Sequence, residues 1–532
     1  MFTKRNALLM GMLFFLLFTS ACGGAAPAET PHEEPATLAE PEPVLSSGDS
    51  YFPEAEAPLS TSEATSQDWG APPAKRPPTD TFFEDYGVNP FIDTEDDNLS
   101  TFGLDVDTGS YTIARNYLKD GLTVPPDSVR VEEYINYFEQ NYPNPSAHQA
   151  FSIFMDGAPS PFTQTERYQM LRIGVQGYQV PEYERKDANL VFVIDVSGSM
   201  DMDNRLGLVK RSLELLVEQL DRKDSVSIVV YGSDARVILD PTPGSKKDRI
   251  LSAIYSLRPE GATNAEAGIR LGYRMALQAY NPRGINRVIL CSDGVANVGN
   301  TEADAILDEI RGYVEEGVTM TTIGFGMDNY NDILMEQLAD NGDGFYAYVD
   351  DMREAKRLFI DNLTGTLQTI AMDAKIQVDF NPNVVSRYRL VGFENRAIAD
   401  EDFRDNSVDA GEIGAGHSVT ALYEVKLYTE AYGNIATVFL RWQDPDTRQV
   451  VELSQDFQVA DLERRFNRAD PYFQRTVIVA EFAEILKESY WAEGSSIDDV
   501  YREALRVSDF FGRDEDMSEL LDMIRRAGRW FD

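Results

Sequence analysis

The sequence predicts an α/β chain: a doubly wound parallel sheet flanked by a β-sandwich-like domain and a helical C-terminal region. Three observations carry this reading. Val191-Phe-Val-Ile194 is a β-prone apolar run with no polar alternation, the pattern of a strand buried on both faces, and it stops abruptly at Asp195. From residue 190 to residue 363 strand-like and helix-like segments alternate, which implies crossover units around a parallel sheet. After Gln368 the apolar period falls to two, as in antiparallel strands with one solvated face.

In chain order, Lys4 and Arg5 precede an apolar run over 7–18, and the small residues Ser20 and Ala21 precede Cys22. That run is too short to span a bilayer and has the make-up of an export signal over residues 1–21. Residues 22–80 are rich in Pro, Ala, Glu, Ser and Thr, with no Lys or Arg between Arg5 and Lys75. They are expected to form a disordered, self-repelling acidic tether. Order is expected from about Asn89. An N-terminal extension, 81–180, holds helical patterns at 111–118 and 129–138, joined by a turn at Pro125-Pro126, and strands at 151–157 and 168–179. Tyr134, Tyr137, Phe138 and Tyr142 are assigned to packing.

The α/β unit is placed at 187–366. Its first strand, 190–194, leads to a helix over 204–220, where Leu206, Val209, Leu213, Leu216 and Leu220 form one apolar stripe. A strand at 226–231, a helical segment at 247–257 and a helix at 265–279 follow. Next come strand 287–292, helix 302–316, strand 318–325, helix 331–339, strand 344–349 and a last helix over 352–363. Period-two runs at 374–380, 386–393, 418–428, 435–442 and 450–459 place a β-rich domain at 370–462, with strands from 150–180 as candidates to complete it. Helical patterns at 477–490, 497–507 and 517–527 fill the C-terminal region, 463–532.

At 532 residues the chain exceeds one ordinary core, and with 43% hydrophobic and 26% charged residues its composition is that of a globular protein. The 89 Asp and Glu against 48 Lys and Arg leave a net charge of −41. That excess excludes nucleic acid and anionic membrane surfaces as partners, because phosphate binding needs the opposite sign. Of the two cysteines, Cys291 lies in the apolar run Val288-Ile-Leu-Cys291 and is expected to be a buried thiol.

Asp195, Ser197 and Ser199 fall on the loop at the carboxyl end of the first strand, where open α/β sheets bind ligands. Every donor there is oxygen, which suits Mg²⁺, Mn²⁺ or Ca²⁺ and argues against zinc or copper. Two further loops complete a pattern: Gly261-Ala-Thr263-Asn264, between two early helices, and Cys291-Ser292-Asp293-Gly294, after a later strand. With these three loops in order, the unit resembles a von Willebrand factor type A domain with a metal-ion-dependent adhesion site. The resemblance implies that Ser197, Ser199 and Thr263 are direct ligands and that Asp195 and Asp293 act through waters or orient the hydroxyls. It further implies that one coordination position receives an Asp or Glu of a protein partner. A cation held by neutral oxygens keeps much of its charge and so favours an incoming carboxylate.

The likeness extends outward. Asn89-Pro-Phe-Ile-Asp93, Leu104-Asp-Val-Asp-Thr-Gly-Ser-Tyr111 and Val129-Arg-Val-Glu-Glu-Tyr-Ile-Asn-Tyr-Phe138 are similar to the N-terminal extension of bacterial von Willebrand factor type A lipoproteins. Tyr388-Arg-Leu-Val-Gly-Phe-Glu-Asn-Arg396 and Asp409-Ala-Gly-Glu-Ile-Gly-Ala-Gly-His417 resemble that family's C-terminal domain, which has no assigned activity. Phe18-Thr-Ser-Ala-Cys22-Gly23 resembles a lipobox, which implies lipidation of Cys22. Thr19 stands where leucine is usual, so ordinary cleavage after Ala21 stays open. Asp105-Val-Asp107-Thr-Gly-Ser110 echoes the metal loop with an acid where the first hydroxyl belongs, and is read as unrelated to it.

Catalytic patterns do not appear. There is no H-E-x-x-H, G-x-S-x-G or CxxC, and the three histidines are His32 in the tether, His148 in a Pro-rich connection and His417 in a Gly-rich turn. His417 is expected to bond nearby backbone. The acidic stretches 93–97 and 340–343 lack EF-hand spacing and are assigned to solvated loops. The expectation is an exported, lipid-anchored protein of the cell envelope that binds a protein partner through Mg²⁺ and is not an enzyme. The alternative is a structural or assembly protein of the envelope in which the metal only stabilises the loops.

Overall fold

The computed structural model describes residues 83–146, 149–163, 167–294, 303–326 and 331–531, all within one unit of the chain. Cys22, the export signal, the tether, His32 and His148 lie outside the described residues. The chain begins with β1 (Ile92–Asp93), β2 (Leu99–Gly103), α1 (Gly109–Lys119), α2 (Val131–Asn136), β3 (Phe151–Pro159) and β4 (Tyr168–Gly177). The α/β unit follows: β5 (Ala188–Asp195), α3 (Arg205–Gln219), β6 (Ser225–Tyr231), β7 (Ala235–Pro243), α4 (Lys247–Ser256), α5 (Ala265–Gln278), β8 (Ile285–Ser292), α6 (Ala303–Glu315), β9 (Thr319–Gly324), α7 (Asp332–Asp340), β10 (Tyr346–Tyr348), α8 (Met352–Lys356) and α9 (Leu363–Leu367). Then come β11 (Thr369–Phe380), β12 (Val385–Val391), β13 (Gly411–Gly414), β14 (Ser418–Leu427), β15 (Asn434–Gln443), β16 (Val450–Gln458), α10 (Pro471–Leu486), α11 (Ile497–Phe511) and α12 (Glu515–Ala527).

β5 lies inside a six-stranded sheet of order β10-β9-β8-β5-β6-β7, parallel to both of its neighbours. Alternate side chains serve two cores. Phe192 and Ile194 meet the Leu206, Val209, Leu213 and Leu216 stripe of α3, whereas Val191 and Val193 face Ile269 and Tyr273 of α5. This two-sided burial explains why no polar residue interrupts the run before Asp195. A Cβ at Gly272 would lie 2.4 Å from Val193 Cγ2, so α5 sits closer to the sheet than a larger residue allows.

Two elements depart from the sequence reading, which assigns no strand to 235–243 and one helix to 352–363. β7 pairs antiparallel with β6 at the edge of the sheet, where Pro241 and Pro243 are tolerated because one side of an edge strand needs no ladder donor. The last helix is broken: α8 passes into a π-turn, Arg357–Asp361, before α9 begins. Leu358 and Phe359 of this turn are both buried.

The period-two runs form a β-sandwich. One sheet has the order β1-β12-β14-β4-β3; the other is β13-β11-β15-β16, with β2 also on β11. β4 pairs with β14 from Gln176↔Ser418 to Tyr168↔Lys426, so strands from before and after the α/β unit share one sheet. Ile173, Val175, Ile376, Val378, Tyr423 and Trp442 fill the space between the sheets. α10 is buried nearly all round and packs with α2 through Tyr134 and Phe482, whose rings meet edge-on at 6.5 Å. Tyr111 stacks on Tyr137 at 3.9 Å, so the tyrosines of the extension are core, as assigned.

Buried ion pairs fasten these parts together. Arg130 donates to Asp332 of α7 at 2.7 and 2.8 Å, and Arg396 reaches Asp105, Glu336 and Asp340. The Asp105-Val-Asp107 motif is part of this network, for Asp107 Oδ1 accepts from Tyr346 N at 3.1 Å. The solvated-loop reading of 340–343 therefore fails at Asp340, which Arg396 holds at 2.9 Å. Arg115 pairs with Asp350, Glu354 and Glu519, tying α1 to α8 and to α12.

Candidate metal centre

The site begins where β5 ends. Asp195 is its last residue, fully buried, and the next turn is closed by Ser197 N donating to Asp195 Oδ1 at 2.7 Å. Val196 N donates to Tyr231 O at 2.9 Å, and the buried Met200 anchors the loop in the core before α3. The second loop is tied to the first by backbone: Gly198 N donates to Gly261 O at 3.2 Å, and Glu260 N to Val196 O at 2.5 Å. Gly261 has φ +76°, and a Cβ there would lie 2.4 Å from Ser233 Oγ, so this corner requires glycine. Ala262 N donates to Ser233 Oγ at 3.0 Å, and Asn264 N to Gly232 O at 2.8 Å, while the Asn264 side chain caps α5. The half-buried Thr263 is held between these two fixed neighbours. The third loop follows β8, where Ser292 Oγ donates to Asp195 Oδ2 at 3.1 Å, linking the third loop to the first.

All five residues expected from the sequence thus lie on three loops at the carboxyl edge of the sheet, the second and third each bonded to the first. Ser197 Oγ and Ser199 Oγ are 3.1 Å apart. Two ligand oxygens at about 2.1 Å from an octahedral Mg²⁺ are separated by about 3.0 Å, so the pair fits one edge of such a shell. The donor set is entirely oxygen, three hydroxyls and two carboxylates, which fits a hard divalent cation. Burial and then the charge of Asp293 push the Asp195 carboxyl up to about 6, against the pull of the Ser197 and Ser292 hydrogen bonds. A nearby cation would reverse that push.

The sequence reading missed two members. Ser292 stands in the quoted third loop without a role, and its hydroxyl is the link to Asp195. Arg205 falls within the helix expected over 204–220 with no role assigned, and its Nη1 donates to Asp293 Oδ2 at 2.6 Å with both side chains buried. Its sequence signal is weak, since an arginine opening a helix ordinarily faces water. His417 is remote from the site: it packs edge-on to Phe345 and against Gly365. The expected backbone bond is not found at Nδ1, which is buried without a partner, and burial lowers the ring to about 4. Cys291 is buried in β8 as expected, with its thiol pushed up by burial.

A second acidic group lies at the opposite edge of the sheet, where Asp343, Asp409 and Glu412 place carboxylate oxygens within 4.8 Å of one another. Burial first, then Asp409 and Asp373, pushes Asp343 up to about 7.

Three family models match the chain: "von Willebrand factor" over residues 77–172, "von Willebrand factor type A domain" over 189–361, and "Uncharacterized protein YfbK, C-terminal" over 365–529. The Escherichia coli protein YfbK is 40% identical over 353 residues, covering 65% of this chain and 61% of that protein. The Synechocystis protein sll0103 is 28% identical over 189 residues, covering 36% of this chain and 44% of that protein. Among solved structures, a von Willebrand factor type A protein from Catenulispora acidiphila aligns with a TM-score of 0.45 at 15% identity, covering 73% of this chain and 91% of that one.

Proposed function

Because this chain is a von Willebrand factor type A domain protein with a YfbK C-terminal domain, we propose that it is a binding protein whose site takes a divalent cation and captures an acidic side chain of a protein partner. Mg²⁺ is the preferred ion, with Mn²⁺ and Ca²⁺ as substitutes. Ser197, Ser199 and Thr263 hold it directly, and Asp195 and Asp293 orient the hydroxyls and bound water. The cation supplies a Lewis-acidic position for the partner's Asp or Glu. The observation that carries this reading is the convergence of three loops through the Gly198–Gly261 and Ser292–Asp195 bonds, with the two serine hydroxyls 3.1 Å apart. The neighbour of the Ser197 hydroxyl is the Ser199 hydroxyl, a pairing that suits two ligands on one cation.

The protein acts outside the cytoplasm, anchored through a lipid on Cys22, with residues 23–78 as a spacer. Metabolic labelling with a radioactive fatty acid tests the anchor. Label should enter the wild type and disappear in Cys22→Ser, and an unlabelled wild type sinks the anchor.

The metal reading is tested by titrating Mg²⁺ into wild type and Thr263→Ala, where the variant should bind about 10–100-fold more weakly. Envelope extract is then passed over both proteins, with and without chelator. Retention of the same acidic partner by Thr263→Ala or in chelator would overturn metal-bridged capture. It would favour the envelope-assembly alternative, in which chelation lowers only the melting temperature.

A further inference from the structure

We infer that Arg205 is a built-in counter-charge of the metal centre, which weakens its hold on the cation and strengthens the cation's hold on an incoming carboxylate. This rests on the metal-bridge reading above and adds a residue which that reading does not use. Arg205 is the first residue of α3, directly after the loop that carries Ser197 and Ser199. Its side chain is 3% exposed, and a buried guanidinium is costly unless a carboxylate answers it. Asp293 does so at 2.6 Å. The fold also keeps room for it. Gly326, with φ +93°, lies beside the guanidinium, and a Cβ there would approach Nε to 2.3 Å and Cδ to 2.5 Å.

The consequence follows from charge. The hydroxyls of Ser197, Ser199 and Thr263 are neutral, so Asp195 and Asp293 are the charges that offset a divalent cation and weaken its pull on an anion. With Arg205 fixed against Asp293, the loaded centre carries one positive charge in excess. In a buried setting that charge acts at short range with little screening. It repels the cation and attracts the partner's carboxylate, so the centre trades metal affinity for anion affinity. An ion pair that served only to fasten α3 to the third loop would lack this pair of opposed effects.

The test uses the purified full-length chain as wild type, Arg205→Gln, Arg205→Met and Arg205→Lys. Gln keeps a hydrogen-bond donor for Asp293 without the charge, Met removes both, and Lys keeps the charge. Circular dichroism selects the folded variants, and the two neutral substitutions back each other up. Mn²⁺ affinity is measured by calorimetry. Acetate, a monodentate carboxylate probe, is then titrated into the Mn²⁺-loaded protein while water-proton relaxation reports loss of metal-bound water. The neutral variants should bind Mn²⁺ about tenfold more tightly and acetate about tenfold more weakly than the wild type, with Arg205→Lys close to the wild type. Unchanged or weaker Mn²⁺ binding in a folded neutral variant overturns the assignment, as does unchanged acetate binding. If neither neutral variant folds, Arg205 is a structural pair and the assignment falls. A wild type that binds no Mn²⁺ overturns the metal reading itself, an outcome distinct from the others.

Discussion

Gly261 shows how one residue without a side chain positions another with one. Its φ of +76° and the 2.4 Å approach that a Cβ would make to Ser233 Oγ leave no room for alanine, and Thr263 is two residues on. Gly261→Ala should cost roughly 1–3 kcal/mol in denaturant unfolding, from left-handed strain plus the displaced Ser233 contact. It should also weaken Mg²⁺ binding by moving the Thr263 hydroxyl. A variant of full stability and unaltered cation affinity would show that the loop has more freedom than its bonds imply. The chemistry of Asp195, Ser197, Ser199, Thr263 and Asp293 was legible because residue type and spacing are local properties. Arg205 and Ser292 were not, because their roles are defined by partners far away in sequence, Asp293 and Asp195.

Among the elements, the end of the α/β unit is held by ion pairs from both ends of the chain. α8, only five residues long, is gripped by Arg115 from α1, which also reaches Glu519 of α12 at 2.9 Å and the Tyr137 hydroxyl at 2.7 Å. Arg357, in the π-turn, pairs with Asp516 at 2.6 Å and lies over the Tyr137 ring. Arg115→Ala would remove the most buried cation from Asp350, Glu354 and Glu519, leaving them only the more exposed Lys119, Arg357 and Arg353, at a cost of up to about 3–5 kcal/mol. Equilibrium unfolding in urea measures this, and a loss under 1 kcal/mol would mean that water replaces the guanidinium. The apolar stripe of α3 and the run of β5 were legible because burial on one stripe or two faces writes itself into the period. β7 and the π-turn were not, since an edge strand has little periodicity and a one-residue widening of a helix leaves the apolar pattern nearly intact.

At the scale of the whole molecule, the sandwich, the helices and the extension are joined in part through buried charges. Glu132 of α2 lies beside Glu394, which follows β12, and Lys487, at the end of α10, pairs with Glu394 at 3.0 Å. Both Glu132 oxygens are buried. Burial, and then the charge of Glu394, pushes Glu132 up to about 7 from an ordinary value of 4.5, with Lys487 pulling the other way and Glu133 adding to the push. The folded state therefore holds this proton more tightly than the unfolded chain. Its contribution is fully present below pH 4.5 and is lost as pH rises to about 7. Glu132→Gln should raise stability at pH 8 by on the order of 2 kcal/mol and change little at pH 4. Thermal melts across that range decide it, and a gain equal at both ends would rule out the proton as its cause.

The sequence by itself determined the α/β unit, the switch to period-two strands, the three candidate-site loops at the carboxyl edge of the sheet and their all-oxygen donors. Each is a statement about neighbours within a few residues, where backbone geometry turns spacing directly into a face or a strand end. The tertiary structure alone decided that β4 completes a sheet with β14, that Arg130, Arg396 and Arg115 fasten the parts together, and that Arg205 answers Asp293. Those are pairings across tens to hundreds of residues. A buried charge selects its partner only when the packed chain has removed water as the alternative, and no local pattern records that choice.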